Sequence, residues 1–246
     1  MFEALREQPW RKLPGLPKGL RVYAVGDVHG RADALESVFA RIDADRASRP
    51  ITRTVEIFLG DYVDRGPASR AVLDLLVARS RLHEVLTLKG NHEVFFLDFL
   101  ENPSHLEAWR QNGGLATLIS YGLKPSLKPS AAEQDELAKE LRSAVPPTHL
   151  TLLARAPSWF KCGDFFFAHA GVRPGIPLEQ QRDDDLLWIR NEFLLHEKAF
   201  EKIIVHGHTP VAAPEVHFNR INLDIGAYAT GQLACLAADN RSIGFV

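Results

Sequence analysis

An α/β fold is predicted for this chain by three observations. Short β-rich runs at residues 21–25, 54–59 and 84–89 each stop at a glycine and give way to a helical stretch. A segment of different character, residues 102–157, follows them, and after it come several closely spaced strand signals. Repeated strand, loop and helix units argue for parallel pairing, whereas adjacent strands with hairpin-like spacing argue for a second, more antiparallel sheet.

Taken in order, a Pro/Gly-rich lead-in occupies residues 1–20. RVYAV then reads as a strand, and residues 31–48 as a polar, amphipathic helix. TVEIFL repeats the pattern with a helix near residues 68–79, and EVLTLK repeats it again with a helix from Glu93. Residues 102–157 contain NGGLATLISYG, prolines at 125 and 129, and AAEQDELAKELRSA, which together predict a mostly helical cap insertion. Strand signals return in WFKCG, FFFAHA, KIIVHG, VHFNRINLDI, QLACLAAD and RSIGFV. The expected organisation is a single domain over residues 1–246.

Composition narrows the function. With 29 basic and 31 acidic residues and a net charge of -2, nothing recommends a nucleic-acid or membrane partner. Cys162 and Cys235 form no CxxC pair and read as buried free thiols of a reducing compartment. No apolar run approaches the roughly 18 residues that a membrane span needs, and no signal-peptide core is present, so a cytoplasmic location is expected.

The chemistry lies at the strand ends. GDVHG places Asp27 and His29 after the first strand, GDYVDRG places Asp61, Asp64 and Arg65 after the second, and GNHE places Asn91 and His92 after the third. His169 follows FFFA, and His206 and His208 close IIVHGH. In open α/β sheets ligands gather at this edge, and glycines there let the backbone turn sharply. Carboxylate, imidazole and amide oxygen suit a transition metal, and a neighbouring guanidinium can grip phosphate. Taken singly, GDVHG could be a turn with a helix cap and GDYVDRG a salt-bridge cluster. Five such ends together point to a shared metal site. Spacing alone does not choose between His206 and His208, because residues two apart on an extended segment can face the same way.

These five motifs, in this order from residue 21 onward, resemble the phosphoprotein phosphatase branch of the calcineurin-like metallophosphoesterases, in particular its smaller bacterial serine/threonine protein phosphatases. The resemblance implies a four-layer fold, two mixed β-sheets sandwiched between helices. It implies two divalent metal ions: Asp27 and His29 hold the first, Asp61 bridges, and Asn91, His169 and His208 hold the second. A further ligand of related GHxH motifs is replaced here by Pro210, which implies a more open first metal. His92 would be the general acid, oriented by Asp64, and Arg65 would clamp phosphate. Arg190, in LLWIRNEF, resembles a second phosphate-binding arginine, with a surface salt bridge as the alternative.

Such a site hydrolyses phosphate monoesters with a metal-bound hydroxide and needs no covalent phospho-enzyme. Manganese is the expected cofactor, with iron or zinc compatible. The histidine of GDVHG, where dinucleoside tetraphosphate hydrolases typically carry glutamine, favours a phosphorylated protein or peptide as substrate, with dual specificity open. Hydrolysis of a dinucleoside polyphosphate is the alternative. Asp224, in INLDIGAY, is expected to be structural, and Trp109, Trp159 and Trp188 to be packing residues.

Overall fold

A computed structural model describes residues 14–246, so residues 1–13 of the expected lead-in lie outside the described residues. β1 (Leu20–Val25) leads to α1 (Ala32–Ser48), β2 (Arg53–Phe58) to α2 (Ser69–Ser80), and β3 (Val85–Thr87) to α3 (Asn91–Glu101). β1 pairs with β2 and β2 with β3, both in parallel, as the three repeated units predict. α4 (Leu106–Gln111), α5 (Gly114–Ser120), α6 (Ala131–Ala144) and α7 (Pro147–Arg155) span the segment read as a cap. Their Leu106, Trp109, Leu118, Leu141 and Leu153 are buried in the same core as α1 and α2.

β4 (Trp159–Cys162), β5 (Phe165–Ala168), α8 (Asp183–Trp188), α9 (Asn191–Leu194), β6 (Ile203–His206), β7 (Glu215–Val216) and β8 (Arg220–Asn222) build the second sheet and its outer helices. α10 (Ala227–Thr230), β9 (Cys235–Ala238) and β10 (Ile243–Phe245) complete the chain. The strand order is β10-β9-β1-β2-β3 in one sheet and β4-β5-β6-β8-β7 in the other.

Both sheets are therefore mixed, and this corrects the expected second sheet in two ways. β5, β6 and β8 run parallel, with antiparallel neighbours only at the edges. The last two strands, QLACLAAD and RSIGFV, leave the second sheet and pair along the free edge of β1. Nearness in sequence favoured one sheet for all six, but β1 is buried on both faces and its open edge would leave backbone groups unpaired.

Alternation along the strands sets the layers. Tyr23 and Val25 face α1 and α2, while Val22 and Ala24 face Phe165, Phe167, Ile203 and Val205 of the second sheet. On the far side Phe166 and Ile204 pack against Leu186 and Phe193 of the outer helices. Period-two strands thus feed three apolar layers between helix, sheet, sheet and helix. Both cysteines are free, Cys235 buried and Cys162 half-buried. No helix among the described residues is long and apolar enough to cross a membrane.

Candidate active site

Parallel strands bring their C-terminal ends to one edge, and the loops after β1, β2, β3, β5 and β6 converge there. Five non-glycine residues among those described have positive φ: His29 (43°), Asp61 (53°), Asp64 (71°), Arg65 (64°) and His208 (65°). All five belong to the motifs singled out above. Such a conformation is uncommon outside glycine and persists only where surrounding contacts hold it, which marks these loops as functional. Glycines make the close approach possible. A Cβ on Gly90 would sit 2.2 Å from Asp61 Oδ1, and one on Gly207 would sit 2.0 Å from Asp27 Oδ1.

Asp61 lies at the centre. Its Oδ2 is 3.4 Å from His29 Nε2 and 3.8 Å from His92 Nε2, and its Oδ1 is 3.4 Å from His169 Nε2. Ligand atoms of His29, Asp61 and His92 form one group within 4.8 Å of one another, and those of Asp61, His169 and His208 form a second. Asn91 joins the second group, its Oδ1 lying 2.8 Å from His169 Nε2 and 3.0 Å from His208 Nδ1. The His208 backbone N–H donates to Asp27 Oδ2 at 3.0 Å, which ties the β6 loop to the β1 loop.

Do these residues fit cations? His29 donates from Nδ1 to the Val63 carbonyl at 2.9 Å, and His169 from Nδ1 to the Leu59 carbonyl at 3.0 Å. Each ring therefore turns its Nε2 lone pair inward, His29 toward Asp61 and His169 toward Asn91 Oδ1. Asp27 Oδ1, His29 Nε2 and Asp224 Oδ2 are buried without any hydrogen-bond partner, a costly condition unless a cation takes their lone pairs. Donor atoms bound at about 2.1 Å to one ion at right angles would lie about 3 Å apart, close to the spacings found here. The donor set fits divalent metal ions.

Electrostatics agree. Burial, with the negative charges of Asp224 and Asp61, pushes Asp27 well above the usual carboxylate range. Burial holds His29 down at about 3 and His208 at about 2, so both rings are neutral at ordinary pH, the form in which an imidazole can bind a metal. Burial also lowers His169. A third group, Asp43, Glu56 and His83, is chemically different because Arg79 and Arg46 already neutralise its carboxylates.

His92 donates from Nδ1 to Asp64 Oδ2 at 2.7 Å. Burial alone would depress this imidazole, yet the Asp61 charge and the Asp64 hydrogen bond raise it above its ordinary value. Asp64 is fully buried and held by Trp109 Nε1 at 2.9 Å and Thr117 Oγ1 at 2.6 Å. Trp109 is thus a packing residue, as expected, and a hydrogen-bond donor as well. Arg65 Nη2 lies 3.2 Å from His92 Nε2, with its guanidinium 5.0 Å from the Tyr228 ring. Arg190 is exposed at the start of α9, and its charge helps depress His169 and His208. Among the described residues it makes no ion pair.

Three placements were left open by the sequence spacing, differ from the sequence reading or were absent from it. His206 stays apart from the cluster: its Nδ1 meets the Gly207 carbonyl at 3.0 Å, and its ring stands 4.9 Å from Phe193. The extended geometry that left it open ends at His206, and the left-handed backbone of His208 turns the two rings apart. Glu93 accepts from the backbone N–H groups of Asp61, Tyr62 and Gly90 at 2.7, 2.8 and 2.9 Å, clamping two loops together, and burial beside Asp61 pushes it up to about 8. The signal for it was present, a glutamate at the third position of a helix, where it caps backbone donors. Asp224 is the third. It was expected to be structural and does accept from Gly226 N–H, but its other oxygen is bare, and burial with the Asp61 charge raises it to about 6. It follows β8 two residues before Gly226, and its charge acts on Asp27.

Comparison with known proteins gives three findings. Residues 20–234 match the family profile described as calcineurin-like phosphoesterase. An asymmetrical bis(5'-nucleosyl)-tetraphosphatase, PrpE, of Anoxybacillus flavithermus is 24% identical over 86% of this chain and 88% of its own length, and the Bacillus subtilis protein of the same name is 26% identical over 85% and 87%. A solved structure of a candidate diadenosine tetraphosphatase shares the fold, with a TM-score of 0.62 at 19% identity, over 94% of this chain and 98% of the other.

These relatives overturn the protein serine/threonine phosphatase expected from GDVHG. The physical reason is visible in the site. His29 has one nitrogen on a backbone carbonyl and the other toward Asp61, so this residue reports on the metal cradle and carries no information about the leaving group.

Proposed function

This chain belongs to the calcineurin-like phosphoesterases and is a metal-dependent phosphoesterase, and on that premise we propose that it hydrolyses a dinucleoside polyphosphate such as diadenosine tetraphosphate, cutting asymmetrically. The substrate class comes from relatives of that name aligned over most of the chain. The reaction type rests on one observation above all: a buried carboxylate, Asp61, with a separate group of ligand atoms on each oxygen.

In this reading Asp27, His29 and Asp61 hold one divalent ion, and Asp61, Asn91, His169 and His208 hold another. Bound there, the pair supplies positive charge for the phosphoryl oxygens and lowers the pKa of the attacking water. Arg65 and Arg190 bind the phosphate oxygens from the rim, as guanidinium groups suit bidentate contact. A guanidinium can only donate, so the Arg65 contact occupies the lone pair of His92 Nε2. Substrate oxygens that draw Arg65 away free that nitrogen to carry a proton. As the oxygen of water bonds to phosphorus and the bridging P–O bond breaks, His92 Nε2 delivers its proton to the leaving phosphate oxygen. Asp64, pinned by Trp109 and Thr117, keeps the ring aimed.

Turnover of diadenosine tetraphosphate against a phosphoserine/phosphothreonine peptide, at matched concentrations with manganese and with a metal-stripped control, tests this reading. Faster release of AMP and ATP from the dinucleotide is expected. A clear preference for the peptide would overturn it.

A further inference from the structure

We propose that Trp188 is the platform on which a nucleobase of the substrate stacks, and hence the residue that separates nucleotides from other phosphate esters. The inference rests on the dinucleotide reading above. Large exposed apolar side chains among the described residues are few, and two of them are aromatic, Trp188 at 41% and Tyr228 at 40% exposure. Both stand at the site. Trp188 lies 6.3 Å from His208, beside the group on Asp61 Oδ1, and Tyr228 lies 5.6 Å from His29, beside the group on Oδ2.

Their surroundings assign them different roles. Tyr228 already has a partner, because the Arg65 guanidinium sits 5.0 Å from its ring centre. It positions Arg65 by a cation–π contact. Among the described residues, Trp188 has no such cation. Its indole is braced edge-to-face by Phe95 at 5.4 Å and 84°, and Phe95 in turn lies 6.2 Å from the His92 ring. The contacts His92 to Phe95, Phe95 to Trp188 and Trp188 to His208 thus form a continuous aromatic arc along one side of the phosphate site.

Chemistry selects the occupant. A base is joined to its first phosphate by a single ribose, so a flat apolar surface one sugar away from the reacting phosphorus is where that base would lie. Trp188 also sits two residues before Arg190, so one short segment would present both a phosphate-binding cation and a stacking surface. Stacking of this kind tolerates any base, which suits a clearance enzyme acting on dinucleotides of differing bases. Trp188, expected to be a packing residue, packs on Phe95 and leaves the rest of its indole open.

The test compares the metal-loaded parent protein, Trp188→Ala and Trp188→Phe on diadenosine tetraphosphate and on p-nitrophenyl phosphate, which has no nucleobase. For Trp188→Ala, KM for the dinucleotide should rise about tenfold. Its kcat/KM for the dinucleotide should fall at least five times further than that for p-nitrophenyl phosphate, and Trp188→Phe should recover most of the loss. Equal losses on both substrates, or no change on either, would overturn the platform while leaving the dinucleotide reading standing. If the parent protein fails to cleave the dinucleotide, that reading falls and the platform with it.

Discussion

The floor and the rim of this site are built by opposite rules. On the floor, Asp27, His29, Asp61, Asn91, His92, His169 and His208 are all buried. Several are held in left-handed conformations by glycine cradles and by the Glu93 clamp. On the rim, Arg65, Trp188, Arg190 and Tyr228 are exposed and carried by loops and short helices, with Arg65 and Trp188 resting on neighbouring rings. Buried groups fixed by several neighbours suit chemistry that needs exact placement, whereas exposed side chains on loops are free to adapt to a substrate. The difference explains why the floor pointed to phosphate hydrolysis while a floor histidine misled about the substrate.

Substitutions can break or sharpen this contrast. The largest effect is expected at the centre of the floor. Asp61→Ala removes the carboxylate common to both groups, so metal content should drop and turnover should fall by about three orders of magnitude or more; elemental analysis alongside a rate assay checks it, and full metal content would refute the bridging role. His92→Ala comes next. Turnover should fall about 10²–10⁴-fold with metal content nearly intact, because this ring moves a proton. Loss of metal from that variant would make His92 a ligand instead. A smaller change is expected on the rim, where Arg190→Ala should raise KM by about tenfold, with metal content and fold unchanged, since one charged hydrogen-bonding group is lost. An Arg190 variant that shed metal would show that the division between floor and rim is wrong.

Much of the floor was legible because its residues are local to strand ends. GDVHG, GDYVDRG and GNHE each follow a parallel strand, and one rule about where ligands gather in α/β sheets placed them together. The same rule reaches Asp224, which follows β8 two residues before Gly226 and was expected to be structural. Glu93 needed only the recognition that a helix start lacks partners for its backbone donors. Trp109 and Thr117 carried no local signal. They reach Asp64 across 45 and 53 positions of chain, a relation only packing creates.

The sequence by itself determined the α/β class, the parallel β1–β3 core and the candidate metal-ligand groups at the strand ends, because each depends on short-range patterns of strand, glycine and ligand-type residue. Tertiary structure alone decided that β9 and β10 join β1, that His208 turns inward while His206 turns away, and that Trp188 opens onto the phosphate site. Those outcomes depend on which edge lacks a partner, how a left-handed residue redirects a side chain, and which surface remains uncovered once the layers have packed, and none of these is a property of neighbouring residues.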